Sequence, residues 1–461
     1  MGELLGAGRR SIPKTAMEER TMQGNHVGQD GLERATMRKV IFRLVPFLML
    51  CYFFNLLDRS NIGVASLQMR PQLGLSAFAY GLGGSLFFIG YFLFEVPSNL
   101  MLQRYGARRW IARIMISWGA MCVLMALTQG PLSFYVLRFL LGVAEAGFYP
   151  GIILFATYWF PARYRARIVA AFSMSIPLAS FIGSPVSAGL LQADGVLGLH
   201  GWQWVFVAEG IPTVLLGITC LFVLKDRPQD AHWLSAEQQG WLTRTLDAEK
   251  ATKHAVGHLS LAQLARNPYV WGLALACSAS SAASSSLSVW QPQLIKSFGL
   301  TNFQTGLVNS IPYGIAAALM MFWGMHSDRT GERRWHTALP LMVISAGVIG
   351  VFFARDSLAL TVVLLSCVLA SYSSFKGPFW AFTSTTLSPT TAAAGIAGIN
   401  AVSNLVGGGM VSLVGAIQDA TGSFGAALLP IAVLAMTGAL IVLVMGVRKT
   451  RAVGETPAAA E

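Results

Sequence analysis

The chain has 461 residues, of which 54% are hydrophobic and only 12% charged, with a formal net charge of +12. A soluble globular protein carries about twice that charged fraction, so lipid must do part of the solvating here. The positive balance does not point to nucleic acid, because the basic residues stand in short clusters between long apolar runs, as orientation signals for membrane insertion do.

Residues 1–39 are polar and of mixed charge, with no apolar core before Val40. No cleaved signal peptide is therefore expected, and the first membrane helix must direct insertion. A helix needs about 20 mostly apolar residues to span a bilayer. Twelve such runs follow: 41–66, 79–101, 111–129, 132–157, 168–191, 203–224, 269–292, 304–325, 337–354, 358–382, 395–417 and 426–447. The expected fold is thus an all-α polytopic membrane protein. The 47 glycines suit close helix approach. Cys51, Cys122, Cys220, Cys277 and Cys367 each fall inside an apolar run without metal-ligand spacing, and read as small packing residues.

Ionisable residues inside a membrane helix cost at least ~2.5–3.5 kcal/mol each on insertion scales, so their presence marks candidate function. Run one carries Asp58-Arg59, about 15 residues and ~22 Å beyond Arg43, past the bilayer centre. Run two carries Tyr91 and, one turn on, Glu95. Run four carries Arg138 and Glu145, two turns apart on one face, at ~10 Å too far for a direct ion pair. An arginine fork suits a carboxylate ligand, with two parallel hydrogen bonds, and a carboxyl in a low-dielectric cavity can load and release a proton near neutral pH. The plainer alternative is that these charges pair with one another and only hold helices one and four together.

Run five is interrupted by Pro177 and Pro185, a pattern that membrane helices tolerate when neighbours satisfy the freed backbone groups. After run six, the hydrophilic segment 225–267 contains Ser235-Ala236-Glu237-Gln238, a capping-box pattern. It reads either as a short interfacial helix or as a disordered linker. Trp290 and Gln291, late in run seven, are candidate cavity residues. Lys376 in run ten reads as a cation snorkelling to the headgroups in preference to a substrate ligand. Asn400 and Asn404 in run eleven lie one turn apart, and such amides usually bond across helices.

Lysine and arginine set the orientation. Arg104, Arg108, Arg109 and Arg113 follow run two, Arg163, Arg165 and Arg167 follow run four, and Arg329, Arg333 and Arg334 follow run eight, whereas the intervening loops hold isolated cations. The basic loops, and with them both termini, are expected to be cytoplasmic. An internal repeat divides the chain: 99–109 (NLMLQRYGARR) and 324–334 (GMHSDRTGERR) share an Arg-x-Gly-x-Arg-Arg core, and each follows the second run of its half. The expected organisation is a tail at 1–39, a six-helix half at 40–224, a linker at 225–267, a second half at 268–447 and a tail at 448–461.

The loop Gly324-x-x-x-Asp328-Arg329-x-Gly331-x-Arg333-Arg334 resembles the signature of the major facilitator superfamily residue for residue. The first copy, with Arg104, Gly106, Arg108 and Arg109, departs from it at Asn99 and Gln103, which stand where the signature has glycine and an acid. The resemblance implies two parallel six-helix repeats with a substrate site between them near the midplane, and gating of the cytoplasmic side by both loops. Asn55-Leu56-Leu57-Asp58-Arg59-Ser60-Asn61-Ile62-Gly63-Val64-Ala65 and Arg138-Phe139-Leu140-Leu141-Gly142-Val143-Ala144-Glu145-Ala146-Gly147 are similar to the first- and fourth-helix motifs of the anion:cation symporter family. Gly90–Asn99, Asp226–Ala231 and Lys376–Ala381 look like its tartrate and phthalate branch, from which Thr383 and Gly407-Gly408-Gly409 depart. What this implies is that Arg59 and Arg138 bind a substrate carboxylate, with Asp58 and Glu145 as proton sites and Glu95 as a third protonatable group or a structural partner. Tyr91, Asn400 and Asn404 become further substrate contacts, to which Trp290 and Gln291 are added as cavity residues by their place late in run seven.

The sequence has no phosphate-binding glycine loop, HExxH or paired-cysteine site, so no catalytic activity, cofactor or ATP drive is expected. The expected partners are a small organic anion, protons and the lipid bilayer, for a monomer in the inner membrane. Two rivals differ in class. An exporter of amphipathic compounds would favour an apolar cavity with an isolated acid, and a transporter-fold sensor would need a longer output domain than 225–267 or the tail supplies.

Overall fold

The computed structural model describes residues 14–253, 266–387 and 389–454. It is a helical bundle, and its helices start where local chemistry can supply the backbone N–H groups that a first turn leaves free. In chain order they are α1 (Lys14–Gln72), α2 (Ala77–Tyr105), α3 (Ala107–Met125), α4 (Pro131–Glu145), α5 (Phe148–Trp159), α6 (Ala162–Leu190), α7 (Gly201–Val223), α8 (Ala236–Lys253), α9 (Pro268–Lys296), α10 (Asn302–Thr330), α11 (Arg334–Phe353), α12 (Leu358–Thr386), α13 (Pro389–Thr421) and α14 (Phe424–Gly454). Ser76 caps α2 by accepting from Ala79 N, and Thr301 with Gln304 forms a capping box on α10.

Ten stretches among the described residues are long and apolar enough to cross a membrane. The remaining two expected runs lie in α3, which has three arginines in its first seven residues, and in serine-rich α9; both pack into the bundle as full-length helices. Counted with them, the described helices are consistent with the twelve crossings expected. Phe42, Leu132, Phe222, Phe353 and Val433 stand on its outside, apolar side chains that lipid would solvate. The protein is a multi-pass membrane protein.

Three local features differ from a simple run of helices. The fourth crossing is broken just after Glu145: Ala146 is extended, and Gly147 takes φ +85°, so α4 ends and α5 begins inside the bundle. The fifth does not break, and α6 runs through Pro177 and Pro185. The segment after α7 forms a helix: Ser235 Oγ accepts from Gln238 N at 3.3 Å and Gln238 Oε1 accepts from Ser235 N at 3.2 Å, which starts α8. Lys39 Nζ reaches Gln238 Oε1, and Arg165 pairs with Glu249, so α8 docks on α1 and α6. Residues 1–13, 254–265 and 455–461, parts of the expected tails and linker, lie outside the described residues.

The helices before Leu224 meet those after Asn267 mainly through three pairs, α1 with α9, α2 with α13 and α6 with α10. The bonds that cross cluster at the end opposite the basic loops. Asp419 Oδ1 and Oδ2 accept from Ala77 N at 2.9 Å and Phe78 N at 2.7 Å, Gln293 binds Arg70 and Ser66, and Ser184 Oγ donates to Gly306 O at 2.9 Å. Ser85 Oγ donates to Gly408 O and lies 2.5 Å from Ser412 Oγ. Among the described residues, the bonds between the two groups of helices therefore close the bundle at that end.

Candidate functional site

Arg59 projects into the middle of the bundle from α1, with its side chain 32% exposed, and meets Glu145 at the last residue of α4. Its Nε lies 2.5 Å from Glu145 Oε1, which also accepts from Asn55 Nδ2 at 2.8 Å. Glu145 is 1% exposed, so nearly all of its stabilisation comes from these two donors. The guanidinium of Arg59 lies 4.8 Å from the centre of the Tyr91 ring and 5.6 Å from that of Phe87. Arg138, two turns back along α4, approaches the same Phe87 ring at 4.8 Å. Two arginines thus share one aromatic ring, an arrangement that tolerates cations held close together.

Arg138 is differently satisfied. It is 3% exposed, and its Nε has one long bond, 3.4 Å, to Gly83 O. Among the described residues no carboxylate pairs with it. A buried guanidinium with spare donors and no counter-ion fits an anionic ligand.

Asp58 points away from its neighbour Arg59, into the packing between α1, α3 and α7. It is 3% exposed, and its Oδ1 accepts from Cys122 Sγ at 3.3 Å and Asn61 Nδ2 at 3.4 Å. Asn61 Nδ2 in turn donates to Glu209 Oε2 at 2.7 Å, and Ser187 Oγ donates to Glu209 Oε1 at 2.8 Å. Glu209, on α7, belongs with the site but does not figure among the residues drawn from the sequence. Its own signal was legible, a carboxylate inside run six.

The other sequence candidates divide between two places. Tyr91 lies under Arg59, and Glu95 is half-buried within electrostatic reach of both, on the same side of α2. Lys376 does not behave as a snorkelling cation: it lies within electrostatic reach of Cys277 on α9 and of Arg59, facing the interior. Asn400 and Asn404 are half-buried on α13. Trp290 and Gln291 sit in the sealed end. The Trp290 indole N–H donates to Val411 O at 3.1 Å and packs edge-on to Tyr80, while Gln291 Nε2 donates to Asn309 O at 3.3 Å. In this conformation Trp290 packs across the seam against Tyr80 and under Arg70, while Gln291 bonds within the second group of helices.

The basic loops differ in how each obtains its acid. In the second, Gly331 (φ +67°) ends α10, Asp328 pairs with Arg333 at 2.8 Å, and Arg333 Nη1 also donates to Ser327 Oγ at 2.8 Å. Burial pushes the neighbouring Glu332 carboxyl up, but donation from the Trp335 N–H, the His336 ring and the His336 N–H outweighs it and holds the group below its usual range. Arg329 is exposed, Arg334 lies over Trp335, and Gly324 has open space around it. In the first loop, where Gln103 replaces the acid, Asp226 from beyond α7 takes the place. Its Oδ1 accepts from Arg108 N at 2.9 Å, against Gly106, while Arg108 Nε donates to Leu221 O. An acid from the Asp226–Ala231 stretch thus reaches this loop through the Arg108 backbone N–H at the start of α3. Arg104 covers Tyr105, and Arg109 is exposed.

Comparison with known proteins fits this geometry. A family model described as the Major Facilitator Superfamily matches residues 48–412. A protein named "Putative tartrate transporter" from Agrobacterium vitis is 47% identical over 90% of this chain and 95% of its own length. A "Quinolone resistance transporter" from Acinetobacter baumannii is 38% identical over 90% of this chain and 95% of its own. Among solved structures, the inward-open xylose transporter XylE from Escherichia coli is similar with a TM-score of 0.71 at 15% identity, over 88% of this chain and 96% of that one.

Proposed function

The chain belongs to the major facilitator superfamily and its organic-anion permeases, and from that premise we propose that it takes up a small, tartrate-like organic carboxylate together with protons. What carries the reading is the unequal state of the two arginines. Arg59 is held by Glu145 at 2.5 Å, whereas Arg138 has no carboxylate of its own among the described residues. A dicarboxylate could take one guanidinium with each end, on either side of Phe87.

Glu145 and a substrate carboxylate compete for the same guanidinium. A proton on Glu145 cancels its charge and frees the fork of Arg59 for the substrate. Once both sites are filled, Arg59 and Arg138 are neutralised by the anion and Glu145 by the proton. Closing the cavity then buries neither arginine nor Glu145 as an unpaired charge, a penalty that would otherwise oppose the motion. Proton alone leaves two arginines uncompensated, and anion alone leaves Glu145 without its cation. Either partial loading resists closure, which is the coupling. Two six-helix units, 40–224 and 268–447, would rock about this point with the 225–267 segment as tether. The basic loops and both termini would face the cytoplasm of a monomer in the inner membrane.

Uptake into proteoliposomes under an inward proton gradient, across tartrate, phthalate, galactonate and a neutral sugar, tests the reading. Accumulation of one acid, abolished by a protonophore, is the expected result. Flux of the neutral sugar alone, or flux indifferent to the gradient, would remove the roles given to Arg59, Arg138 and Glu145. The name of the Acinetobacter baumannii relative favours a second reading, proton-driven export of an amphipathic compound. Fluoroquinolone extrusion from the same liposomes, without uptake of any acid, would select it.

A further inference from the structure

We propose that Glu209 is a second proton-binding group, shared with Asp58 through Asn61 and supplied through Ser187 from a small chamber in the sealing seam. The inference rests on the proton-coupled reading above but concerns residues outside the arginine site. Its first observation is the pair itself. Asp58 on α1 and Glu209 on α7 are 3% and 2% exposed, and the single amide of Asn61 contacts both, at 3.4 and 2.7 Å. No lysine, arginine or histidine among the described residues pairs with either. Arg59 is taken by Glu145, and Arg138 bonds to Gly83 O. Two buried anions with no cation between them would repel in a low-dielectric interior, so the pair holds a proton.

The second observation is polar capacity left unfilled. Asn61 Oδ1 is buried with no hydrogen-bond partner, and so is Asn309 Oδ1 nearby in the seam, whereas the Trp118 indole N–H lies within reach of the Asp58 carboxylate. Buried acceptors are almost always satisfied, so these point to a donor that comes and goes. A protonated carboxyl or a water is such a donor.

The third observation is a route. A chamber of about 10 Å³, room for one water, is lined by Ser60, Ser180, Ser184 and Ser187 on one side and by Ser288 and Asn309 on the other. Ser187 faces this chamber and donates to Glu209. A hydronium there can pass a proton to Ser187 Oγ as Ser187 passes its own to Glu209 Oε1, leaving a water and a neutral carboxylic acid. The chamber's walls come from both groups of helices, so opening the seam for alternating access would open it to the opposite side of the membrane. In the present conformation it is shut. Glu209 would therefore load from that side and be isolated from it when the seam closes. The other titratable or charged groups facing the pair are Cys122 from α3 and Glu145 and Arg138 from α4, while α6 contributes the neutral Ser187.

The test uses the full chain in proteoliposomes, with tartrate as substrate probe and infrared difference spectra between acidic and alkaline buffer as a readout that needs no substrate. In the wild type a protonated-carboxyl C=O band should titrate. It should weaken in Glu209→Gln and persist from this pair in Glu145→Gln. Glu209→Gln should exchange tartrate but accumulate it no further than equilibration, and Ser187→Ala should accumulate to the wild-type level more slowly. An unchanged band in Glu209→Gln, wild-type accumulation by that variant, or a wild-type rate in Ser187→Ala would overturn the proposal. If wild-type uptake ignores the proton gradient while the band still depends on Glu209, the symport reading fails and the proton site stands.

Discussion

Glu145 and Arg138 lie on one helix but face opposite situations, and their variants should fail differently. Arg138→Ala removes the guanidinium that has no anion of its own. Loss of a charge-assisted bond costs about 1.5–3 kcal/mol, so tartrate binding to purified protein should weaken roughly 10- to 100-fold, as calorimetry would read. Glu145→Gln keeps the shape and Asn55's partner but no longer answers to protons. Counterflow of labelled tartrate should persist while gradient-driven accumulation disappears. Normal accumulation by Glu145→Gln would exclude it as a coupling site. The four charges Asp58, Arg59, Arg138 and Glu145 were legible as ionisable residues within apolar runs. Their partners were not. Neighbours in sequence, Asp58 and Arg59 point into different packing environments, one toward Glu209 and the other toward Glu145. The direction a side chain takes around a helix is settled by what packs there, so Glu209 gained its meaning only beside Asn61.

At the scale of elements, the interruption of the fourth crossing places Glu145 at a helix end. Gly147 makes the break possible, because φ +85° is comfortable only without a Cβ, and a Cβ there would also lie 2.7 Å from Ser98 Cβ. Left-handed backbone costs other residues about 1–2 kcal/mol. Gly147→Ala should therefore lower the thermal unfolding temperature in detergent and weaken transport together, since the shift displaces Glu145 from Arg59. An unchanged melting curve would show that the break tolerates a side chain. The sequence presented this crossing as one apolar run, since hydropathy does not register a single left-handed residue. For α8 the local signal was sufficient: a capping box is a contact among neighbours, and Ser235 and Gln238 form it as the pattern suggests. The first basic loop shows the limit of local reading, because the acid missing at Gln103 comes from Asp226, 123 positions on.

For the whole molecule, the decisive feature is which end is shut. Ser85 on α2 and Ser412 on α13 bring their hydroxyl oxygens to 2.5 Å across the seam. Cysteines there would sit within reach of a disulfide. With the exposed Cys367 replaced by serine, the Ser85→Cys/Ser412→Cys pair should cross-link under oxidation, stop tartrate exchange and recover on reduction. Exchange that continues in the cross-linked protein would mean that the seam need not open for transport.

Composition by itself settled the solvent: a chain with so few charges and so many apolar runs can bury its surface only with lipid, whatever its tertiary arrangement. Periodic apolar length set the helices, and the cost of a charge in hydrocarbon marked most of the residues that matter. Only the tertiary structure decided which charges meet, which end is sealed, and that Trp290 packs against Tyr80 across the seam. Those outcomes depend on distances between residues remote in the chain, and a pattern read along one strand of sequence carries no term for them.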